Sequence, residues 1–233
     1  MWIQAHFAPV AVFGLRPSNS TTSGGKSLLI PTPYAIKMAL LDRMLRFGGE
    51  DYGVDRFPQV RDLFTSVRVP PTAAVTRSFQ KVLRPGSKGE VWKTTIARRE
   101  YVIHEGNLSL AFEGNDPDFL TDELPGILAS VNYFGRRGSF FQLTGVDINL
   151  PPDASYTALS TQSGTETLGF GYLQRMDDMR SDATFEDIST FSKKGSKDDG
   201  GRISYTVVLP YRVDHHGHNH TVYRRIDTME VGA

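Results

Sequence analysis

A basic segment near the middle of the chain predicts a long pair of antiparallel strands. Residues 76–99 read TRSFQKVLRPGSKGEVWKTTIARR and contain seven basic residues but only one acidic residue. Two β-prone arms, around residues 82–83 and 91–92, flank the turn-forming residues 85–89. We therefore expect a basic hairpin with one aromatic side chain in each arm, Phe79 and Trp92.

Such a hairpin suits a nucleic-acid backbone. Each lysine or arginine that neutralises a phosphate releases condensed counterions, and aromatic rings can stack on bases. A solvated surface hairpin remains the alternative, since charge alone does not separate the two. The candidate RNA contacts in this segment are Arg77, Lys81, Arg84, Lys88, Trp92, Lys93, Arg98 and Arg99.

The charge of the whole chain is balanced, which makes any nucleic-acid contact local. The 233 residues include 26 Lys and Arg and 26 Asp and Glu, so the chain lacks the global basic field of a free-standing, non-specific binder. There is no cysteine, which excludes disulfides, thiolate metal sites and a cysteine nucleophile. With no signal-peptide pattern and no apolar run of about 18 residues, we expect a soluble cytoplasmic protein without a membrane partner.

The order of predicted elements is β, α, β-hairpin, β, α, β, which predicts an α+β fold. It is typical of a ferredoxin-like, RNA-recognition-motif-like core with the basic hairpin inserted as a thumb. We place this core in residues 1–148 and treat 149–233 as an elaboration that returns a strand, 203–211, to the sheet. The predicted elements are a strand at 2–15, a helix that starts at Thr32-Pro33 and ends at Gly48-Gly49, a short helix at 59–64, a strand at 107–112, a helix at 120–131 and a strand at 140–148.

Two glycine-rich segments outside the hairpin are further candidates. Gly135 and Gly138 flank Arg136 and Arg137, so the backbone can approach a ligand while two guanidinium groups meet phosphates or base edges. A tight turn with solvated arginines is the alternative. The second glycine-rich stretch, 164–172, is a weak candidate for lining a groove.

Residues 23–27, SGGKS, resemble the end of a nucleotide-binding loop. However, Ser20 replaces its first glycine, and Pro31 and Pro33 interrupt the helix that would hold phosphate. Lys26 is better interpreted as part of a flexible loop that contacts an RNA phosphate.

Histidines suggest two other functions, neither of which we adopt. His215, His216, His218 and His220 with Asp214 have spacings that can bind zinc or nickel, but a polar segment near the terminus is more often exposed, so we assign no metal and no cofactor. His104, Tyr101 and Lys93 would supply a base, an acid and a cation for RNA cleavage. These residue types are also common in RNA-binding strands, and we assign no catalytic residue.

Several short motifs, in their order and spacing, resemble the Cas-five family of CRISPR-associated proteins. The resemblance covers about residues 1–148. The motifs are the first strand at 3–13, PTPYAI at 31–36, TIARREYV at 95–102 and VNYFGRRG at 131–138.

This resemblance implies a ferredoxin-like core with a thumb hairpin, and a non-catalytic subunit of type I CRISPR complexes (Cascade). Such a subunit caps the 5′ handle of the guide RNA (crRNA), beside the backbone and large subunits and near the PAM end of the target DNA. The hairpin 76–99 would kink the RNA, and Arg136 and Arg137 would lie near the handle. One branch of the family cleaves precursor RNA, but this chain does not obviously show its opening pattern. A guide-processing endoribonuclease of the same superfamily and a backbone filament subunit remain the alternatives.

Overall fold

A computed structural model describes residues 1–20, 24–86, 92–160, 170–189 and 200–226. The fold is mixed α/β and mostly sheet. The described helices are α1 (Pro33–Asp55), α2 (Phe57–Arg61), α3 (Leu124–Ser130) and α4 (Phe185–Ile188). The described strands are β1 (Trp2–Pro9), β2 (Gly24–Gly25), β3 (Phe64–Arg68), β4 (Thr72–Pro85), β5 (Trp92–Glu105), β6 (Leu108–Glu113), β7 (Phe141–Ile148), β8 (Thr157–Ala158), β9 (Tyr172–Met179), β10 (Arg202–Leu209), β11 (Tyr211–His216) and β12 (His220–Arg225).

The first sheet has the strand order β7-β1-β6-β3-β8, with every neighbouring pair antiparallel. Helices α1 and α2 lie between β1 and β3 in the chain, and α3 lies between β6 and β7. The inward side chains of β1, Ile3, Ala5 and Phe7, are fully buried in one apolar cluster with residues of α1 and α3. The core therefore lies between this sheet and its helices.

The basic segment forms the pair of antiparallel strands that its sequence predicts. Strands β4 and β5 pair from Thr72 and Glu105 at the base to Pro85 and Trp92 near the tip, so the hairpin is longer than 76–99. It belongs to a second five-stranded sheet, in the order β11-β12-β4-β5-β2. Residues 87–91, which include most of the predicted turn at 85–89 as well as Lys88, lie outside the described residues.

The start of α1 is confirmed, and several predicted boundaries are wrong. Thr32 caps the helix, accepting a hydrogen bond from the Ala35 amide at 3.2 Å, and Pro33 is its first residue. Gly49, with φ of 83°, only kinks the helix, which resumes and continues to Asp55. The first strand ends at Pro9 rather than residue 15, since proline cannot donate to the ladder. The short helix spans Phe57–Arg61, and the next predicted helix opens with a π-helical turn at Phe119–Glu123 before α3.

The C-terminal third also differs from expectation. Strand β10, predicted to return to the main sheet, pairs instead with β9 in a separate two-stranded sheet. The strand that joins a larger sheet is β12, which pairs with the edge of β4. A buried ion pair at 2.7 Å between Lys37 of α1 and Asp178 of β9 links the two-stranded sheet to the helix. Among the described residues, no helix is long and apolar enough to cross a membrane.

Candidate nucleic-acid interface

The basic hairpin has two chemically different faces. Directly opposed residues of an antiparallel pair project on the same side, and successive residues alternate. At the base, the side that carries Val75 and Val102 is buried in the core. Towards the tip this same side leaves the body of the protein and becomes what we call the distal apolar face. Its large apolar side chains are 62–66% exposed, namely Phe79, Leu83, Trp92 and Ile96.

The predicted contact residues divide between these two faces. Arg77, Lys81 and Arg98 lie on the side of the distal apolar face, where the Arg98 guanidinium lies 5.3 Å from the centre of the Phe79 ring. The opposite side, which we call the outer face, carries Arg84, Lys93 and Arg99. A single RNA segment in contact with one face therefore does not contact the other.

A cleft of about 180 Å³ at the base of the hairpin brings several of the predicted basic residues together. Its lining includes Lys26, Arg99, Arg136 and Arg137, which come from three distant parts of the sequence. Lys26, Arg136 and Arg137 are exposed, and Arg99 is partly exposed. The cleft thus holds four of the candidate RNA-contacting cations, within reach of one nucleic-acid segment.

Close backbone packing builds this cleft. The backbone of Phe13 exchanges hydrogen bonds of 3.0 and 2.7 Å with Val102, and Gly25 pairs in parallel with Arg99. A Cβ atom at Gly25 would lie 2.5 Å from the Arg98 carbonyl oxygen, so only glycine allows this approach.

The arginine pair lies in a tight turn whose two glycines have positive φ, 66° at Gly135 and 101° at Gly138. The Ser139 hydroxyl donates a hydrogen bond of 3.2 Å to the Gly14 carbonyl oxygen. This bond fixes the turn against the segment that follows β1.

Two residues that line the cleft, Arg16 and Glu100, were not predicted from the sequence as site residues. Arg16 is exposed in the lining, and its Nε donates to the Ser20 hydroxyl at 2.6 Å. Its position at the start of the polar loop that contains Lys26 is the signal that points to it. Glu100 is the acidic residue of the lining, and its carboxylate accepts hydrogen bonds from the Ser27 amide at 3.0 Å and from Arg77 Nε at 3.2 Å. Its charge is thus engaged by protein groups, and the cations of the cleft dominate its surface.

The residues considered for RNA cleavage do not converge. Tyr101 and His104 project from opposite sides of β5, and Lys93 lies eight residues from Tyr101, about 27 Å along an extended strand. His104 is buried, with Nε2 2.8 Å from the Leu29 carbonyl oxygen and its ring edge-on to Phe13. Burial lowers the pKa of His104 to about 4, partly opposed by its hydrogen bond to Leu29. His104 is therefore a neutral core residue, and this particular set cannot act on one phosphate.

His6 has an arrangement that superficially resembles a catalytic triad. Its Nδ1 lies 2.8 Å from the Ser109 hydroxyl, and its Nε2 lies 2.9 Å from the Asp147 carboxylate. A nucleophilic serine has to reach its substrate, whereas Ser109 is only 1% exposed and the carboxylate is the exposed end. The arrangement links three strands and offers no accessible nucleophile.

The four C-terminal histidines lie in and beside the turn that joins β11 and β12. They are exposed, as expected. Within the described ranges, no three histidine or carboxylate side chains come close enough to hold a metal ion. The glycine-rich stretch at 164–172 and the start of the SGGKS segment lie mostly outside the described residues.

Comparison with known proteins agrees with the resemblance in the motifs. No protein-family model matches the chain. The chain is 24% identical over 213 residues to the CRISPR-associated protein Cas5 of Archaeoglobus fulgidus, across 88% of this chain and 92% of that protein. This relative confirms the resemblance to the Cas-five family.

Two solved structures are also similar to the chain. A CRISPR protein from Archaeoglobus fulgidus has a TM-score of 0.40 at 8% identity, covering 97% of this chain and 92% of that one. A chain of a CRISPR RNA-guided surveillance complex has a TM-score of 0.47 at 14% identity, covering 97% of this chain and 89% of that one.

Proposed function

We propose that the chain is a non-catalytic subunit of a CRISPR Cascade complex, in which it binds and caps the 5′ handle of the guide RNA. The observation that carries this proposal is the cleft at the base of the hairpin. It gathers Lys26, Arg99, Arg136 and Arg137 from separate segments around one space. Planar guanidinium groups suit phosphates and base edges, and Lys26 adds a point charge. The sequence similarity to Cas5 supports the same assignment.

The fold suits this role. In the first sheet, two strand–helix–strand units interleave so that β1 lies between β7 and β6, and all neighbours are antiparallel. We interpret this sheet and its helices as the ferredoxin-like core, with β4 and β5 as its thumb. The thumb emerges beside the cleft, because Arg99 and Tyr101 of β5 line it. An RNA strand bound in the cleft would therefore meet the hairpin at its base.

The distal apolar face supports a place within an assembly. Large exposed apolar patches mark protein interaction sites, and four large apolar side chains are exposed together here. In the proposed complex the neighbours are the backbone and large subunits, the guide RNA and, through the complex, target DNA near its PAM end. The compartment would be the cytoplasm.

Replacing the arginine pair of the cleft tests the proposal. In cells that express the other complex subunits and a guide RNA, Arg136→Ala/Arg137→Ala should reduce the guide RNA that co-purifies several-fold. The salt dependence of RNA binding should become shallower by about 0.7 in log–log slope for each lost phosphate contact. Arg136→Lys/Arg137→Lys should recover only part of the binding, because a point charge does not replace a two-pronged contact.

The matched control removes two arginines outside the cleft, Arg46→Ala/Arg180→Ala, whose side chains pair with Asp42 and Asp182. This control should retain full guide RNA. Complexes of the Arg136 and Arg137 alanine variant with unchanged guide RNA and salt slope would refute the placement. Several copies of the chain per complex would indicate a backbone subunit instead, and precursor cleavage by the purified chain would indicate the endoribonuclease.

A further inference from the structure

The outer face of the second sheet runs without interruption from the cleft to the C-terminal histidines. Strand β12 pairs with β4 so that His220 lies opposite Thr76, and Thr76 lies opposite Tyr101 of β5. Directly opposed residues share a face, so these three side chains form one row across three strands. Tyr101 at one end of the row lines the cleft. The row therefore connects the cleft to the hairpin formed by β11 and β12.

Two histidines on this face form a close pair. His215 lies opposite Val222, which places it diagonally beside His220 on the outer face. The two imidazole rings are 5.2 Å apart between centres and inclined by 32°, and both residues are exposed. His216 projects to the other side and its Nδ1 lies 2.9 Å from the Thr221 hydroxyl.

The turn that carries this pair is held against the base of the basic hairpin. The Arg77 amide donates to the Asn219 carbonyl oxygen at 2.8 Å. The position of the histidine pair relative to the cleft is thus fixed by backbone hydrogen bonds. About three strand spacings of about 4.8 Å, or about 14 Å in total, separate β5 from β11.

The remaining charged groups around the pair nearly balance one another. On the same face, Arg212 and Arg224 lie opposite each other farther along β11 and β12. Asp214, next to His215, pairs with Arg224 at 3.2 Å, and Glu105 lies on the same face at the end of β5. The charge that this end of the sheet presents therefore depends on the protonation of the two histidines.

We propose that the outer face is a second track for the phosphodiester backbone of single-stranded RNA, and that His215 and His220 form a phosphate site that takes up protons when it is occupied. The proposal rests on the proposed function, because the RNA reaches this face through the cleft. Two imidazolium rings at this spacing repel each other, and an anion bound between them removes the repulsion and accepts their N–H groups. Binding of phosphate and binding of protons therefore favour each other.

The test is the pH dependence of RNA binding by the full chain. The probe is a fluorescein-labelled oligouridylate, measured by anisotropy at about 50 mM salt with EDTA to exclude metal binding by the histidines. Between about pH 8 and about pH 5.5, where imidazole changes its charge, we expect binding to tighten roughly three- to tenfold. His215→Gln/His220→Gln should abolish this tightening, while His218→Gln, in the same turn, should retain it.

A second variant keeps the proposal testable if glutamine disturbs the hairpin. His215→Arg/His220→Arg supplies fixed charge and should bind at pH 8 as tightly as the wild type does at pH 5.5. Wild-type pH dependence in the double glutamine variant, or no pH dependence in the wild-type chain, overturns the proposal. The Arg136→Ala/Arg137→Ala variant tests the cleft separately. If this variant binds RNA more weakly while His215→Gln/His220→Gln binds with the pH dependence of the wild type, the cleft is supported and the histidine track is rejected.

Discussion

Acidification should destabilise the folded protein through a single buried histidine at the base of the hairpin. His104 lies on β5, packs edge-on against Phe13 with 4.8 Å between ring centres, and bonds to the Leu29 carbonyl oxygen. Its Nδ1 is buried and has no hydrogen-bond partner among the described residues. The folded state therefore accommodates the neutral ring and disfavours the charged one.

The size of the effect follows from the pKa of His104, which is about 4 in the folded protein and 6.5 for an ordinary histidine. Because the folded pKa is the lower one, the unfolded chain takes up a proton first as the pH falls. The free energy of unfolding therefore decreases below about pH 6.5, by about 1.4 kcal/mol per pH unit, until the folded state is also protonated near pH 4. The total loss is about 3 kcal/mol, a large part of the stability of a typical domain.

Urea unfolding of the wild type and of His104→Gln, at several pH values between 4 and 8, measures how much His104 contributes to the pH dependence of the free energy of unfolding. Glutamine keeps a donor for Leu29 but cannot be protonated, so the variant should be less stable at pH 8 and lose less stability on acidification. His218→Gln, an exposed control, should follow the wild type. Parallel loss of stability in the wild type and His104→Gln would refute the reasoning, as would a histidine 104 resonance that titrates above pH 6 in NMR spectra.

Two substitutions test other parts of the structure. Gly25→Ala should lower the free energy of unfolding by about 1–3 kcal/mol in urea and weaken RNA binding, because its Cβ would lie 2.5 Å from the Arg98 carbonyl oxygen. Gly126→Ala, where the Cβ meets nothing within 4 Å, should instead stabilise α3 by about 0.5–1 kcal/mol, and equal effects of the two would contradict the tight approach. Asp178→Asn should cost about 3–5 kcal/mol by leaving Lys37 charged and buried, and adding Lys37→Met should restore most of the loss in the same assay.

Local chemistry predicted the elements that depend on neighbouring residues. Thr32 and Pro33 specify a helix start through a cap and a fixed φ, and the structure begins α1 there. The two β-prone arms around a turn specify antiparallel pairing, and β4 and β5 pair accordingly. The sequence did not predict that Lys26 lies beside Arg136 and Arg137 in the cleft, because this proximity depends on the pairing of Gly25 with Arg99, far along the chain.

Strand β9 shows why other elements were missed. Its sequence, YLQRMDDM, has no alternation of apolar and polar residues, and it contains two adjacent acidic residues, a residue type that is mostly exposed. Both carboxylates are buried, however. Asp178 pairs with Lys37, and Asp177 accepts a hydrogen bond from Ser204 at 2.6 Å. Tertiary partners that lie distant in sequence thus make a strand whose own pattern does not predict one.

The two faces of the hairpin explain why a neutral chain would act as part of an assembly. The alternation that buries Val75 and Val102 continues along β4 and β5 past the body of the protein, where Leu83 and Ile96 are 66% and 63% exposed. No other described part of the chain covers these side chains, so their burial requires a partner with an apolar surface. The opposite face carries cations that suit phosphate, but too few for tight binding at physiological salt by charge alone. In an assembly, RNA would cover the cations of the outer face, and a protein neighbour would bury the apolar side chains of the distal apolar face.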